Sequence, residues 1–351
     1  MSKTDNSEDA CPLPIGQYDK IVMAHGGGGQ LTQSLIDKLM LAEFDNPALN
    51  EKNDSAVLTF NSERLAFTTD SYVVNPLFFP GGDIGKLAVC GTLNDLAMSG
   101  ARPLFLSCGL IIEEGFAIDS LQKIIHSMSR QAKAAGVNIV TGDTKVVEKG
   151  KGDGLYINTS GIGVLDTAIS LSPSKLQHDD VVIINGDIGR HGIAIMAQRE
   201  GFKLEQTLES DCADLSGLVK LLINGGIDLH CMRDLTRGGL ATALIEISTA
   251  ANKQIMLDET AIAIADPVRS VCEVLGLDPY YVANEGRFIS VLPSAQAAQA
   301  LAIMHAHPLG KQAAVIGNVH KGSQAMVTIK NRIGTTRILQ LLSGSQLPRI
   351  C

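Results

Sequence analysis

Strand-like and helix-like segments alternate along nearly the whole chain, and glycine turns separate many of them. Such a chain must stack helices on sheets, because each element buries its apolar face only against another layer. SAVLTF (55–60) and RLAFTTD (64–70) read as strands joined by a polar Asn-Ser-Glu turn, which predicts a hairpin. After the glycines at 81–82, Ile84, Leu87, Ala88, Gly91 and Asp95 recur at helical spacing. PLFLSCGLII (103–112) reads as a buried strand, 119–135 as an amphipathic helix, and VNIVTGD (137–143) and GLYINTSGIGVL (154–165) as further strands. LSPSKLQHDD (171–180) mixes proline, serine and charge and marks a boundary. Beyond it, strands at 181–187, 288–293 and 313–319 and helices at 189–200, 212–223, 237–250, 267–275 and 294–305 form a second α/β unit. The expectation is therefore two α/β (α+β) domains, 20–170 and 171–342. A polar arm (1–19) precedes them, and a tail (343–351) with little to bury it follows.

Composition excludes several kinds of function. With 29 basic and 37 acidic residues, a net charge of −8 and no basic block, nucleic-acid binding is disfavoured. The 35 glycines, together with 4% aromatics and no Trp, favour tight turns and close backbone approach over stacking platforms. No apolar run of 18 residues and no apolar signal segment is present, so no membrane role and a cytoplasmic location are expected. Cysteines at 11, 90, 108, 212, 231, 272 and 351 form neither a CxxC pair nor a zinc spacing. Cys90, Cys108, Cys231 and Cys272 read as small buried hydrophobes.

Chemistry-bearing residues cluster at turns. In HGGGGQ (25–30), His25 and Gly26, Gly27, Gly28 and Gly29 precede a helical segment, and such a loop aims backbone N–H groups at an anion; a flexible connector reads equally well. Asp54, Asp70, Asp95 and Asp143 each stand at an element end or beside a turn, where they serve either as caps or as oxygen ligands of a nucleotide-bound Mg²⁺. Asp95, late in a helix, opposes the dipole and needs solvent or a cation. Lys145, just past the strand ending at Asp143, suits a phosphate or a base if its pKa is depressed, and equally a solvated surface charge. Thr236 and Arg237 lie in the turn RDLTRGGLA, with Thr236 a candidate cap. Glu285 in NEGRFI suits a positioned acid or base as well as a turn, and His191 in GDIGRHG has no assigned role. Cys351, the last residue, reads as a nucleophilic carrier whose activation depends on another group.

HGGGGQ at 25–30, FTTDSYVVNPLFFPGGDIGKLAVCGTLNDLAMSGARP at 67–103, VTGDTKVV at 140–147, DLTRGGLA at 234–241, NEG at 284–286, HPLGK at 307–311 and PRIC at 348–351 together resemble the HypE family of hydrogenase maturation proteins. The resemblance runs from about residue 20 to 351, and the terminal PRIC separates HypE from the wider superfamily of aminoimidazole ribonucleotide synthetase and selenophosphate synthetase. It implies a two-domain fold whose N-terminal domains pair as a homodimer, closing an intersubunit β-barrel beside the ATP site. It also implies ATP-dependent dehydration of an S-carbamoyl group on Cys351 to S-cyanide for the iron of NiFe-hydrogenases. HypF would deliver the carbamoyl group, and HypC–HypD would receive the cyanide. Lys145 and Glu285 would then position substrate and transfer protons. Asp54, Asp70, Asp95 and Asp143 would hold Mg²⁺–ATP with Asn94 and Thr144 nearby, the Gly26–Gly29 loop would cover the phosphates, and His25 and Arg237 would assist. Two other readings are a small-substrate synthetase of the selenophosphate type and a non-enzymatic scaffold that presents Cys351. HGGGGQ lacks the reactive cysteine of the former. ATP turnover that depends on a carbamoylated tail separates the latter.

Overall fold

The computed structural model describes residues 29–35, 37, 56–60, 63–165, 169–202, 204, 207–321, 324–342 and 350–351. The predicted arm (1–19), His25, Gly26, Gly27, Gly28, Asp54 and tail positions 343–349 lie outside the described residues.

A short helix α1 (Gln30–Leu35) comes first. Strands β1 (Ala56–Phe60) and β2 (Glu63–Tyr72) form the expected antiparallel hairpin. A two-residue ladder of β3 (Phe78–Phe79) and β4 (Gly82–Asp83) leads into helix α2 (Ile84–Met98). Asp83 caps α2 by accepting the Gly85 and Lys86 N–H groups on one carboxylate oxygen. Strand β5 (Arg102–Glu113), helix α3 (Ile118–Ala134) and strands β6 (Asn138–Val147) and β7 (Leu155–Leu165) complete the first unit. The sheet order is β1-β2-β7-β5-β6, antiparallel except for β5 and β6.

Helix α2 is buried nearly all round, because one side packs on β2 and β7 and another meets the second unit. The opposite face of the sheet is open. Phe67, Ile162 and Phe105 form one cross-strand row on it, Ile111 lies further along, and all four are exposed.

The second unit contains β8 (Asp180–Ile184), α4 (Arg190–Arg199), α5 (Ser216–Asn224), β9 (Cys231–Asp234), α6 (Gly239–Ala251), β10 (Gln254–Asp258), α7 (Asp266–Leu275), β11 (Phe288–Pro293), α8 (Ala297–His305), β12 (Ala314–His320), β13 (Met326–Lys330) and β14 (Thr336–Leu339). They build a seven-stranded sheet in the order β14-β13-β10-β12-β8-β11-β9. Between the two sheets the predicted boundary holds a single 3₁₀ turn, Pro173–Lys175.

Several expectations need correction. Strand β6 runs on to Val147, so Asp143 and Lys145 lie within it and not at or past its end. Helix α6 is capped by Gly238 at φ 77°, not by Thr236, whose carbonyl instead receives the Gly239 N–H. Strands β9, β10, β13 and β14 were not foreseen. Each has only four or five residues, too short for period two to emerge from the surrounding sequence. The end of the tail is not left unburied: Ile350 is only 4% exposed and joins the core cluster around Tyr72, Leu87 and Leu93.

Candidate functional site

The NEG segment meets α2 where the two units touch, and its three residues have separate tasks. Asn284 is fully buried: its Oδ1 accepts the Gly189 N–H at 2.7 Å, and its Nδ2 donates to the Leu235 and Val282 carbonyls. Gly286 has no room for a side chain, since a Cβ there would stand 1.9 Å from the Asp211 carbonyl oxygen. Between them Glu285 is 3% exposed, and among the described residues its Oε1 has no hydrogen-bond partner. A native fold seldom leaves such an atom unpaired, because its desolvation goes uncompensated; at a site, a ligand completes it.

Asp211 holds this loop. Its Oδ2 accepts the N–H groups of Glu285 and Gly286 at 3.2 and 3.0 Å, and its Oδ1 accepts the His191 N–H at 3.0 Å. Nothing in the sequence reading singled out Asp211; the Ser-Asp-Cys-Ala-Asp run at 210–214 was read partly as the start of a helix. Asp211→Ala strands three buried donors and is expected to destabilise the protein by about 3 kcal/mol, measured by denaturant unfolding.

Helix α2 supplies Asn94, which is 2% exposed. Its Nδ2 donates to the Ala213 and Glu285 carbonyls, while its Oδ1 accepts the Leu215 N–H at 2.8 Å. Both ends of the amide are thereby used, and Asn94 braces the Glu285 loop. Asp95, one residue on, accepts from the Thr68 hydroxyl at 2.8 Å, which meets part of the need that its place late in a helix creates.

Cys351 closes the arrangement. Its main-chain oxygen accepts the Val73 N–H at 3.3 Å, next to Tyr72 on β2. The ring of His191, itself wholly buried, lies with Nε2 2.5 Å from the Ile350 carbonyl oxygen. Burial pushes the Cys351 thiol far above its ordinary value and Glu285 pushes it further, against an opposing pull from Arg237. Burial likewise raises Glu285 well above 4.5, and Cys212, Asp234, Asp70 and Asp211 add to the shift. Asp70 is raised by burial and partly restrained by Arg237. The Arg237 guanidinium is stabilised most by Cys351, then by Asp70, Glu285 and Asp95. Arg237 leaves the turn before α6, where a Cβ on Gly239 would meet the Val282 and Tyr280 carbonyls at 2.6 and 2.7 Å.

The structure thus brings together Asp70, Asp95, Arg237, Glu285 and Cys351, and does not bring Asp143, Thr144 and Lys145 to them. In the sheet, Gly142, Cys108, Thr159 and Asp70 lie in one register row. Asp143 pairs with Gly109, one position along, and so projects from the open face opposite Asp70. Three strand spacings, about 14 Å, also separate the two strands. Lys145 Nζ bonds both Asp143 carboxylate oxygens at 2.8 and 2.6 Å in an exposed ion pair, which holds Asp143 below the usual carboxylate range. Of the glycine run, only Gly29 is described. It sits against Leu342, whose carbonyl accepts the Gln30 N–H at 2.8 Å and would be 2.1 Å from a Cβ on Gly29.

Among the described residues no group of three or more His, Cys, Asp or Glu is arranged to hold a metal. No described helix is long and apolar enough to cross a membrane.

Residues 52–165 match the family model "AIR synthase related protein, N-terminal domain", and 177–330 match "AIR synthase related protein, C-terminal domain". The chain is 45% identical over 331 residues to the carbamoyl dehydratase HypE of Azotobacter vinelandii, covering 94% of this chain and 97% of that one. Two solved structures, each 45% identical, are also similar. One, of a HypE–HypF complex, has a TM-score of 0.83 and covers 88% of this chain and all of that chain. The other, of HypE in complex with ATP, has a TM-score of 0.80 and covers 95% of this chain and all of that chain.

Proposed function

Because this chain belongs to the AIR-synthase-related family and, within it, to the HypE carbamoyl dehydratases, we propose that it dehydrates an S-carbamoyl group on its own Cys351 to S-cyanide, using ATP. The observation that carries this reading is the seat of Cys351 beside Glu285, a buried carboxyl with one oxygen unpaired.

Dehydrating a carbamoyl group removes its oxygen and both nitrogen-bound hydrogens, leaving a C≡N bond. ATP supplies a phosphoryl group that turns the oxygen into a leaving group, and the products are S-cyanide, ADP and phosphate. Glu285 takes a proton from nitrogen. Its raised pKa makes its carboxylate, once ionised, a stronger base than an exposed glutamate. Arg237 steadies the negative charge that grows on the oxygen, and Asp70 and Asp95 would hold a Mg²⁺ that offsets charge on the transferring phosphoryl group. His25 and Gly26–Gly29 remain the proposed phosphate loop.

The exposed row Phe67, Ile162 and Phe105 suits a second copy of the chain, which closes a barrel over the open face. In that homodimer the Asp143–Lys145 pair on the open face leaves solvent and faces the ATP site of the second copy, whereas Thr144 projects from the other face of β6. Lys145→Ala is then expected to leave carbamoylation of Cys351 intact and slow dehydration about 100-fold, read by single-turnover mass spectrometry. Equal dehydration rates would remove Lys145 from the mechanism.

HypF is the proposed carbamoyl donor, by analogy with the solved complex of relatives. HypC–HypD is the proposed cyanide acceptor, and the cytoplasm the proposed location. The buried thiol is a poor nucleophile in its seat, so loading by HypF takes place with the tail withdrawn from it. ATP hydrolysis by the purified chain tests the reading. It should require carbamoylated Cys351 and stop after one equivalent, whereas a scaffold would hydrolyse none.

A further inference from the structure

We propose that His191 is the positioning residue that latches the tail, gripping the Ile350 carbonyl so that Cys351 is presented to Glu285. The inference rests on the reading of Cys351 as the carrier.

A carbonyl oxygen only accepts, so the nitrogen 2.5 Å from Ile350 O must carry hydrogen: Nε2 is the donor. On the other side of the ring, Nδ1 lies 2.8 Å from Ser210 Oγ. That hydroxyl already accepts the Cys212 N–H at 3.1 Å, which leaves its own hydrogen to donate to Nδ1. The chain of donors, Cys212 N–H to Ser210, Ser210 to His191 and His191 to Ile350, is complete only with a neutral imidazole protonated at Nε2. Burial favours that same neutral state by lowering the imidazole pKa, although Ile350 and Asp211 act the other way. Phe79 fixes the ring plane from the side, edge to face at 5.4 Å and 87°.

The mount of the latch matters as much as the latch. The His191 N–H is held by Asp211 Oδ1, and Asp211 Oδ2 holds the N–H groups of Glu285 and Gly286. One carboxylate therefore couples the residue that grips the tail to the loop that carries the base. The grip itself falls on main-chain atoms, Ile350 O from His191 and Cys351 O from Val73, while the Ile350 side chain fills the core. Neither bond uses the sulfur. The same latch can thus seat a thiol, a carbamoylated cysteine or an S-cyanide, as a carrier that changes its load requires.

The test compares His191→Phe, which keeps an aromatic ring but has no donor, with His191→Gln, whose amide restores one. In the full chain, with Cys351 carbamoylated beforehand, His191→Phe should slow single-turnover dehydration by Mg·ATP about tenfold and leave the KM for ATP unchanged. Alkylation of unloaded Cys351 by iodoacetamide should rise by about the same factor, and His191→Gln should recover most of both effects. If His191→Phe fails to fold, Ser210→Ala, which frees the ring, should shift both readouts in the same direction by a smaller factor. Wild-type rates of dehydration and alkylation in a folded His191→Phe protein would overturn the latch. Failure of the wild type to dehydrate its carbamoylated tail would instead refute the carrier reading, while the alkylation contrast would still report on the latch.

Discussion

Replacing Cys351 with alanine is expected to abolish carbamoylation and cyanide formation together, to below about a thousandth of the wild-type extent, while leaving the fold intact. The alanine loses the only atom on which the group can ride, yet keeps what holds the tail. The Ile350 side chain stays in the core, and the main-chain oxygens of residues 350 and 351 still accept from His191 and Val73. Intact-mass spectrometry after incubation with a HypF carbamoyltransferase, carbamoyl phosphate and ATP reads the result. A carbamoyl adduct on the Cys351→Ala protein at the wild-type level would move the carrier to another residue and undo the mechanism built on this seat.

Glu285→Gln should produce the second large effect, with an opposite sign in stability. The substitution keeps the size and the backbone bonds to Asp211 but removes the base, so dehydration of the carbamoylated chain should fall about 10²- to 10⁴-fold, with carbamoylation unaffected. The raised pKa of Glu285 works against stability. The folded protein holds this proton at pH values where the unfolded chain has released it, so stability falls as pH rises above the ordinary glutamate value of 4.5. Glutamine carries no such dependence. Denaturant melts of the two proteins should therefore coincide near pH 4 and diverge towards pH 8, with Glu285→Gln the more stable. A variant that is both less stable at pH 8 and fully active would show that Glu285 is a structural residue.

The same residues explain why parts of the site were legible in the sequence and parts were not. Long periodic segments, such as 119–135 and GLYINTSGIGVL, appear within a residue of the helix Ile118–Ala134 and the strand Leu155–Leu165. NEG was conspicuous because it sets Glu285 just before a glycine and a strand, and in the fold Gly286 stands against the Asp211 backbone. Asp211 itself was hidden, because its three bonds reach Glu285 and Gly286, more than seventy residues away, and His191, twenty away, and no local pattern records them. Asn94 was visible in the sequence, but its bracing bonds to the main chain at 213, 215 and 285 were not, because those partners lie far along the chain. Asp143 and Asp70 look equivalent along the chain, each near a strand end. Only sheet register places them on opposite faces.

The tail shows the same limit more plainly. PRIC has one apolar residue before the cysteine, too little for any periodicity, and burial of Ile350 depends on a cluster assembled from distant parts of the chain, among them Tyr72, Leu87, Ile195 and Ala283. The thiol was expected to need activation from another group, and the structure supplies the reverse in the seated state. Burial and Glu285 together suppress its ionisation, and Arg237 restrains the shift without reversing it. A seat that quenches the thiol suits a step performed on a group already attached, which joins the electrostatics to the order of events: load first, then enter.

Mass spectrometry of the C-terminal peptide tests the central claim most directly. The full-length chain would first be carbamoylated on Cys351 by a HypF carbamoyltransferase and freed of nucleotide, then given Mg·ATP. The mechanism requires the carbamoylated cysteine to lose one water, in step with the release of one ADP, in the wild type and not in Glu285→Gln. A carbamoyl adduct that survives ATP unchanged in the wild type, while ADP is released regardless of the load, would contradict it.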